Sequence, residues 1–253
     1  MKKIFFFFSV LFPLSSWASI SIITDLDDTL KITNSGQEIE ATMNGLFSDK
    51  VFTGMPEFIK ATRAYVDQVH ILTASPLIIR PVVQNVLKKR NIEVDSLIMK
   101  NPFLRQENID FKIMELKKLF DKSSDDFILI GDDVGHDPEA YEIIKNLYPG
   151  RVLAVYIHAI QGRSLPKSSF QYWTAFDLFL KEFLAGRMIK SSVDEVIETL
   201  YEEKNLKLIF PGFAKCPKTP EVWSWQVRSI FVRQAFTLAG KFNLYCISRS
   251  SGI

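Results

Sequence analysis

After the first eighteen residues, four short and mostly apolar runs stand out along the chain, and the segments between the runs have the wider apolar spacing of helices. The runs cover residues 20–23, 69–72, 127–130 and 152–157. Short apolar runs without regular polar alternation are typical of strands buried on both faces of a parallel sheet. The pattern therefore predicts an α/β fold, in which helices cover both faces of a parallel sheet and the crossovers are right-handed.

Helices are predicted between and after these runs from apolar spacing and from start signals such as Gly54-Met55-Pro56. Before residue 168 the predicted helices cover residues 54–66, 77–90, 108–121 and 138–147, with a weak strand at 97–99. After residue 168 the pattern changes to helices at 170–184, 193–203 and 221–238, with a loop at 211–220. This part is predicted to be a helical C-terminal extension that packs on the core.

The first eighteen residues resemble an export signal. Lys2 and Lys3 precede an apolar run at residues 4–14, and Ser16-Trp17-Ala18 is a small-x-small cleavage site. The alternative is an uncleaved anchor over residues 4–23, which would need about 20 apolar residues and would consume the first strand. We expect cleavage, and hence an exported protein of the periplasm or the extracellular medium.

These boundaries predict a signal peptide at residues 1–18, a main α/β domain at residues 19–165 and the helical C-terminal extension at residues 166–253. The 253 residues, of which 47% are hydrophobic, suffice for one sizeable core. Loss of the two leader lysines reduces Lys plus Arg from 31 to 29, equal to the 29 acidic residues. The mature protein then has no global basic field, so we expect no binding to nucleic acid. The oligomeric state stays open.

Two cysteines, Cys216 and Cys246, lie in the extension. In an exported chain an even number of cysteines favours a disulfide, although two free thiols are the alternative. No Cys/His cluster has the spacing of a zinc site.

The first apolar run ends in Asp25, Asp27, Asp28 and Thr29. These carboxylates cannot be buried unpaired, so they should lie at the carboxyl end of the strand, where open α/β sheets bind ligands. A crowded group of carboxylates suits a hard cation such as Mg²⁺, and one carboxylate could attack phosphorus. The alternative is an acidic turn or a helix N-cap.

Polar groups also follow the second and third runs. Thr73 and Ser75 could donate hydrogen bonds to a phosphate, while Asp132 and Asp133 directly follow the third run and Asp137 lies one turn later. An ordinary helix cap is the alternative for Ser75 and Asp137. Because the carboxyl ends of parallel strands share one edge, these groups should converge with the first acidic cluster.

Taken in order, DLDDT at 25–29, the strand-end Thr73, the helical Lys112 and GDDVGHD at 131–137 resemble the four motifs of the haloacid dehalogenase-like phosphohydrolase superfamily. The pattern is most similar to the phosphatidate phosphatase catalytic domain of the App1 type. That group has D-x-D-D-T-x-K-x-T at the first motif, as at residues 25–33, S-x-S-P at the second and G-D-x-x-x-x-D-P-E-x-Y at the fourth. This chain has Thr73 in place of the first Ser, and a Thr can donate the same hydrogen bond. The resemblance covers roughly residues 20–163 and implies a Rossmann-like fold.

The resemblance also implies roles for individual residues. Asp25 would be the nucleophile, and Asp27 would protonate the leaving alkoxide and later activate water, while its backbone carbonyl binds the metal. Thr73 and Lys112 would hold the phosphoryl oxygens, and Asp132 would be the main downstream metal ligand. The supporting residues are Thr29 and Ser75 for the substrate, and Asp133 or Asp137 for the metal.

We therefore expect an exported Mg²⁺-dependent phosphomonoester hydrolase that acts on phosphatidate or a related lipid phosphate. About forty residues separate the first two motifs, which leaves room for only a minimal cap and an open site. The alternatives are a phosphatase for soluble phosphomonoesters and a catalytically inactive phosphate-binding module. Aromatic residues of the extension, such as Trp173 and Phe236, could form a peripheral membrane contact, although helically spaced aromatics are more often packing residues.

Overall fold

A computed structural model describes residues 19–37, 48–217 and 231–250. Its centre is a six-stranded sheet with the order β3-β2-β1-β4-β5-β6, and every pairing is parallel. The strands are β1 Ile20–Thr24, β2 Gln68–Pro76, β3 Ser96–Lys100, β4 Asp126–Asp132, β5 Val152–His158 and β6 Phe170–Tyr172. The predicted parallel α/β sheet is confirmed. The proposed signal segment, residues 1–18, lies outside the described residues.

Seven α-helices accompany the sheet in the described part of the chain. They are α1 Met55–Thr62, α2 Arg80–Lys89, α3 Asn108–Lys122, α4 Asp137–Leu147, α5 Ala175–Leu184, α6 Lys190–Glu202 and α7 Val232–Ser250. Short 3₁₀ turns cover Leu77–Ile79 and Leu206–Leu208. The helix predicted over residues 77–90 is therefore divided, because Pro81 lies in the first turn of α2 and supports a new start there.

Alternating side chains of the strands bury the two faces of the sheet under different helices. Ile23 points to the face covered by α3 and α4, whereas its neighbour Ile22 points to the face covered by α1, α2, α5, α6 and α7. Both side chains are fully buried, and each such burial is worth about 1.5–3 kcal/mol. The mostly apolar composition of the runs is thus explained, and it fixes the register of the strand that leads into the first acidic cluster.

Strand β1 lies in the middle of the sheet. Ile22 pairs with Val69 of β2 on one side and with Ile128 of β4 on the other. The last contact on the β4 side is the amide of Asp25, which donates a 2.8 Å hydrogen bond to the carbonyl of Ile130. The polar residues that follow β1, β2 and β4 therefore leave the sheet at one edge.

The prediction of a helix from residue 170 was wrong. Residues 170–172 form β6, which pairs with β5, and the helix begins at Ala175. The start is fixed by Asp177, whose carboxylate accepts hydrogen bonds from the amides of Trp173 and Thr174. The sheet thus continues past residue 165, and the domain boundary predicted there stays a prediction.

The last helix ends later than predicted. Helix α7 continues to Ser250 instead of ending near residue 238, and residues 221–230 of the predicted helix lie outside the described part. Cys216 and Cys246 form a disulfide with a Cα–Cα distance of 5.8 Å, which confirms the predicted pair and joins the preceding loop to α7. Among the described residues, no helix has the length and apolar character needed to cross a membrane.

The polar segment between β1 and α1 is described only in part. Lys31 forms isolated bridges with Asp27 and with Val51, so the two ends of the segment meet beside the first acidic cluster. Residues 38–47 of this segment lie outside the described residues.

Candidate active site

Three buried carboxylates meet at the carboxyl edge of the sheet. Asp25 follows β1, Asp132 is the last residue of β4, and Asp137 is the first residue of α4. One oxygen from each lies within 4.8 Å of the others. The apolar strands hold the first two side chains side by side, and the turn from β4 into α4 brings the third to them.

Lys112 is the cation of this cluster. It lies in the second turn of α3, and its side chain is buried despite its charge. Its ammonium nitrogen is 3.2 Å from Oδ1 of Asp25 and donates a hydrogen bond to Oδ1 of Asp137. The sequence contains many lysines, so Lys112 was difficult to identify from the sequence alone. In the structure its ammonium group lies between Asp25 of the first motif and Asp137 of the fourth.

Burial and mutual repulsion change the protonation of these groups. Burial raises the pKa of Asp25 well above its usual range, and although Lys112 opposes this shift, Asp137 and Asp132 add to it. Burial raises the pKa of Asp132 to about 7, and the negative charge of Asp137 is the second cause of this shift. Burial alone would lower the pKa of Lys112, but the charges of Asp137 and Asp25 outweigh it and the pKa is raised. One lysine therefore faces more negative charge than it can neutralise.

The carboxylate cluster fits a hard divalent cation. All three ligand groups are carboxylates, the donors that such ions prefer. Oδ1 of Asp25 is buried and accepts no hydrogen bond within the described part of the chain. Asp132 is oriented by the amides of Val134 and Gly135, which donate to its Oδ1 at 2.6 and 3.1 Å. Apart from the ion pair with Lys112, this oxygen has no partner among the described residues, so a cation at this place would add a partner and offset the excess negative charge.

Asp27 lies outside the carboxylate cluster. Its Oδ2 accepts hydrogen bonds from the hydroxyls of Thr73 at 3.0 Å and Ser75 at 2.5 Å. The amide of Ser75 in turn donates to Oγ1 of Thr73 at 3.0 Å. Residues from the first and second predicted motifs therefore contact each other directly, and the partly exposed Asp27 is held in one orientation.

Thr29 lies beside the cluster with a weaker contact. Its hydroxyl is 3.5 Å from Oδ2 of Asp132, at the limit of a hydrogen bond. Thr29 is fully buried, so in this structure it packs against the acidic residues.

Asp133 is placed differently from Asp137, although either could have supported the metal. Its Oδ1 accepts hydrogen bonds from the amides of Ile160 and Gln161, and its Oδ2 accepts one from the amide of Arg163, all between 2.6 and 2.9 Å. The carboxylate thus holds the loop after β5. The structure brings Asp137 into the cluster and leaves Asp133 outside it.

The sequence assigned no individual role to two buried residues of the first motif, Asp28 and Lys31. Asp28 has a positive φ of 56° and accepts hydrogen bonds from the amides of Thr33, Asn34 and Ser35, so it shapes the loop after β1. Lys31 is buried, and this desolvation lowers its pKa, with the charges of Asp27 and Asp28 opposing the shift. The signal was present in the D-x-D-D-T-x-K-x-T pattern, whose Lys position Lys31 occupies.

Comparisons with known proteins agree with the motifs. A family model described as phosphatidate phosphatase APP1, catalytic domain, matches residues 20–159, which is more than half of the chain. No curated protein matches this chain.

Several solved structures show weak likeness. The Pnkp1/Rnl/Hen1 complex is 20% identical over 51% of this chain and 43% of that chain, with a TM-score of 0.40. Phosphoserine phosphatase from T. onnurineus, in complex with NDSB-201, is 13% identical over 71% of this chain and 94% of that chain, also with a TM-score of 0.40. The chain thus spans less than half of the first of these structures, and such scores carry no argument about function.

The family assignment rests on the matched model and on the order of the motifs along the chain. The matched segment begins with β1 and ends just after β5, so it contains all four motifs and every residue of the carboxylate cluster. The predicted resemblance is confirmed: this chain belongs to the family of the phosphatidate phosphatase APP1 catalytic domain.

Proposed function

We propose that this protein is an exported, Mg²⁺-dependent phosphatase that hydrolyses a phosphomonoester, phosphatidate or a related lipid phosphate, through an aspartyl-phosphate. The observation that carries the proposal is the placement of Asp25. It lies 3.2 Å from the ammonium group of Lys112, in a cluster with Asp132 and Asp137. This is the arrangement needed for a carboxylate nucleophile at a site that binds a cation and a phosphate.

In the first chemical step, an oxygen of Asp25 attacks the phosphorus and the bond from phosphorus to the alcohol oxygen breaks. The proton that the departing alkoxide needs would come from Asp27. Thr73 and Ser75 hold Asp27 in place through its Oδ2. Such a positioned acid typically contributes a factor of about 10² to 10⁴ in rate.

In the second step, water attacks the phosphorus of the aspartyl-phosphate. Asp27, now a carboxylate, takes the proton from this water, and the bond between phosphorus and the Asp25 oxygen breaks. Inorganic phosphate leaves, Asp25 is regenerated and Asp27 is protonated again, so the cycle is balanced.

The charge on the phosphoryl group must be offset throughout these steps. Lys112 supplies one positive charge from a buried position, where its interaction with an anion is stronger than in water. Asp25, Asp132 and Asp137 would hold the Mg²⁺ ion, which supplies further positive charge at the phosphoryl oxygens.

The lipid substrate and the export are the finer parts of the proposal. The family description names phosphatidate phosphatase, and the short segment between the first two motifs favours an open site that admits a bulky ester. The charged start, apolar run and small-x-small site of residues 1–18 support export. Phosphatases for soluble esters remain the competing assignment, and the substrate panel below separates the two.

The test is phosphate release by the purified protein from phosphatidate in mixed micelles and from a panel of soluble phosphomonoesters, each with Mg²⁺ and with a chelator. We expect chelator-sensitive release that favours phosphatidate. Release from soluble esters alone would refute the lipid assignment and keep the mechanism. If no ester released phosphate, the proposal that this protein is a phosphatase would be refuted.

Asp25→Asn tests the nucleophile, and Asp194→Asn is the matched control. Asp194 lies on α6 with an exposed side chain and an ion pair to Lys190, far in sequence from every motif. We expect Asp25→Asn to lose the aspartyl-phosphate and at least about 10³ in rate, while Asp194→Asn keeps the parent rate. Equal rates in the two variants would contradict the assigned nucleophile.

A further inference from the structure

Two loops that leave the sheet beside the candidate active site expose large apolar side chains. The first loop follows β2 and contains the turn Leu77–Ile79; the second follows β3 and covers residues 101–107. The side chain of Ile78 is 77% exposed, that of Phe103 is 89% exposed and that of Leu104 is 57% exposed. We call residues 77–79 together with 101–106 the apolar rim.

The register of the sheet brings the two parts of the rim together. Pro76 of β2 pairs with Lys100 of β3, so both loops start from adjacent positions at the same edge. This edge is also where the site is assembled, since Ser75, whose hydroxyl bonds Asp27, precedes Ile78 by one short turn. A surface that contacts the rim would therefore face the mouth of the site.

Three cations lie in or beside the rim, and one acidic residue borders it. Arg80 follows the first loop, Lys100 precedes the second, and Arg105 is an exposed residue within it. The first acidic residue beyond them is Glu107, at the N-terminal end of α3. This local excess of positive charge is not part of a general basic field, because the protein without the leader lysines has a net charge close to zero.

Exposed apolar side chains flanked by cations are the combination that binds anionic bilayers. The apolar groups enter the boundary between head groups and acyl chains, and the cations are attracted by the negative surface potential. Single exposed apolar residues need no explanation, but three on paired loops at the mouth of a site form a patch. A phosphomonoester on a lipid lies at head-group level, within reach of a site that rests on the membrane in this way.

We infer that the apolar rim is a docking surface for an anionic lipid bilayer, and that it presents the head group to the active site. This inference rests on the proposed lipid substrate. It places the membrane contact on the loops after β2 and β3, and not on the aromatic residues of the C-terminal extension.

Vesicle flotation without substrate tests the docking directly. The protein is purified after export and its N-terminal residue is determined by mass spectrometry, so that an uncleaved leader does not contribute. We expect it to float with vesicles of phosphatidylcholine and phosphatidylglycerol in equal parts, and to bind pure phosphatidylcholine at least about tenfold less. Equal binding to both, or no flotation, would overturn the inference.

The double variant Ile78→Ser/Phe103→Ser removes the apolar part of the rim. We expect about tenfold or greater loss of binding to the anionic vesicles. Leu147→Ser is the matched control, because Leu147 is 52% exposed at the end of α4, next to the start of β5 and thus at the opposite edge of the sheet. The control should float like the parent, and a double variant that floats equally well would overturn the inference.

Phe103→Trp provides a second test, which does not require a substitution that lowers the stability of the protein. We expect its added tryptophan emission, relative to the parent, to shift to shorter wavelength with anionic vesicles, and the absence of any shift would overturn the inference. Hydrolysis of phosphatidate by a protein that does not float would refute docking alone. Flotation of a protein that hydrolyses no ester would refute the proposed function alone.

Discussion

The ammonium nitrogen of Lys112 lies 3.2 Å from Oδ1 of Asp25, and both side chains are buried. This contact joins α3 to the end of β1, on which the candidate nucleophile is carried. The lysine is thereby both the ion-pair partner of the candidate nucleophile and a counter-charge for two further carboxylates. Its removal should consequently affect folding as well as activity.

Lys112→Met is expected to abolish phosphate release and to lower the free energy of unfolding by about 3 kcal/mol in the presence of chelator, because it leaves buried carboxylates without their cation. Denaturant unfolding and an activity assay measure the two effects. The control is Lys118→Met in the same helix, where an exposed lysine pairs with Glu115 and less than about 0.5 kcal/mol should be lost. Similar losses in both variants would contradict the assigned role.

Gly131→Ala is expected to disrupt the carboxylate cluster. A Cβ atom at residue 131 would lie 2.6 Å from Cβ of Asp137, closer than two carbon atoms can approach. Either Asp137 or β4 must shift, so we expect activity to fall at least about tenfold and stability to fall by about 1–3 kcal/mol. Gly135→Ala, where no atom lies within 4 Å of the added Cβ, is the control. Unchanged activity in Gly131→Ala would show that the position of Asp137 is not required.

Asp137→Asn and Asp133→Asn distinguish a residue of the proposed metal site from a residue that holds a loop. Asp137 lies in the carboxylate cluster, so its variant should raise the Mg²⁺ concentration for half-maximal activity far more than Asp133→Asn does. Asp133 accepts three backbone hydrogen bonds, so its variant should mainly lower the free energy of unfolding, by about 1–3 kcal/mol. Mg²⁺ titration and denaturant unfolding distinguish these outcomes, and a larger Mg²⁺ effect in Asp133→Asn would reverse the assignment.

His70 should make stability depend on pH. Burial lowers its pKa below the usual 6.5; Asp95 and Asp125 oppose the shift and Arg63 adds to it. The unfolded chain then binds a proton more readily than the folded chain, so this contribution is complete above about pH 6.5 and decreases as the pH falls below it. Nδ1 of His70 lies 2.8 Å from Oγ of Ser96, which connects β2 to β3.

The measurement is the free energy of unfolding at about pH 7.5 and about pH 5.5. His70→Asn should lose less stability between these values than the parent protein does. His136→Asn replaces an exposed histidine and should show the same decrease as the parent. A decrease in His70→Asn as large as that of the parent would mean that another group is responsible.

Much of the fold could be predicted because the strands are buried on both faces. In residues 20–23 and 127–130, the positions that pack under a helix are apolar. Such runs can be recognised in a single sequence. Strand β6 could not be found in this way, since it has only three residues at the edge of the sheet. Its sequence Phe170-Gln171-Tyr172 also fits the apolar spacing of the helix that follows.

The sequence identified most residues of the candidate site, but it did not show how each of them is placed. The shared edge of the carboxyl ends of parallel strands indicated Asp25 and Asp132, whereas only the order of the motifs indicated Lys112, which lies on a helix. The sequence could not distinguish Asp133 from Asp137, since both are acidic and both lie near the end of β4. The difference comes from the loop after β5, whose amides at residues 160, 161 and 163 bind Asp133, and this is a long-range contact.

The central place of β1 has a consequence for how the chain acquires its structure. Ile22 pairs with Val69 and with Ile128, so one flank of β1 has no partner until about half of the 253 residues have been synthesised. An unpaired apolar strand is a template for association with other chains, and closing so long a loop slows folding. Chains interrupted before β4 should aggregate instead of giving a smaller working enzyme, and recovery from denaturant should decrease as the protein concentration rises.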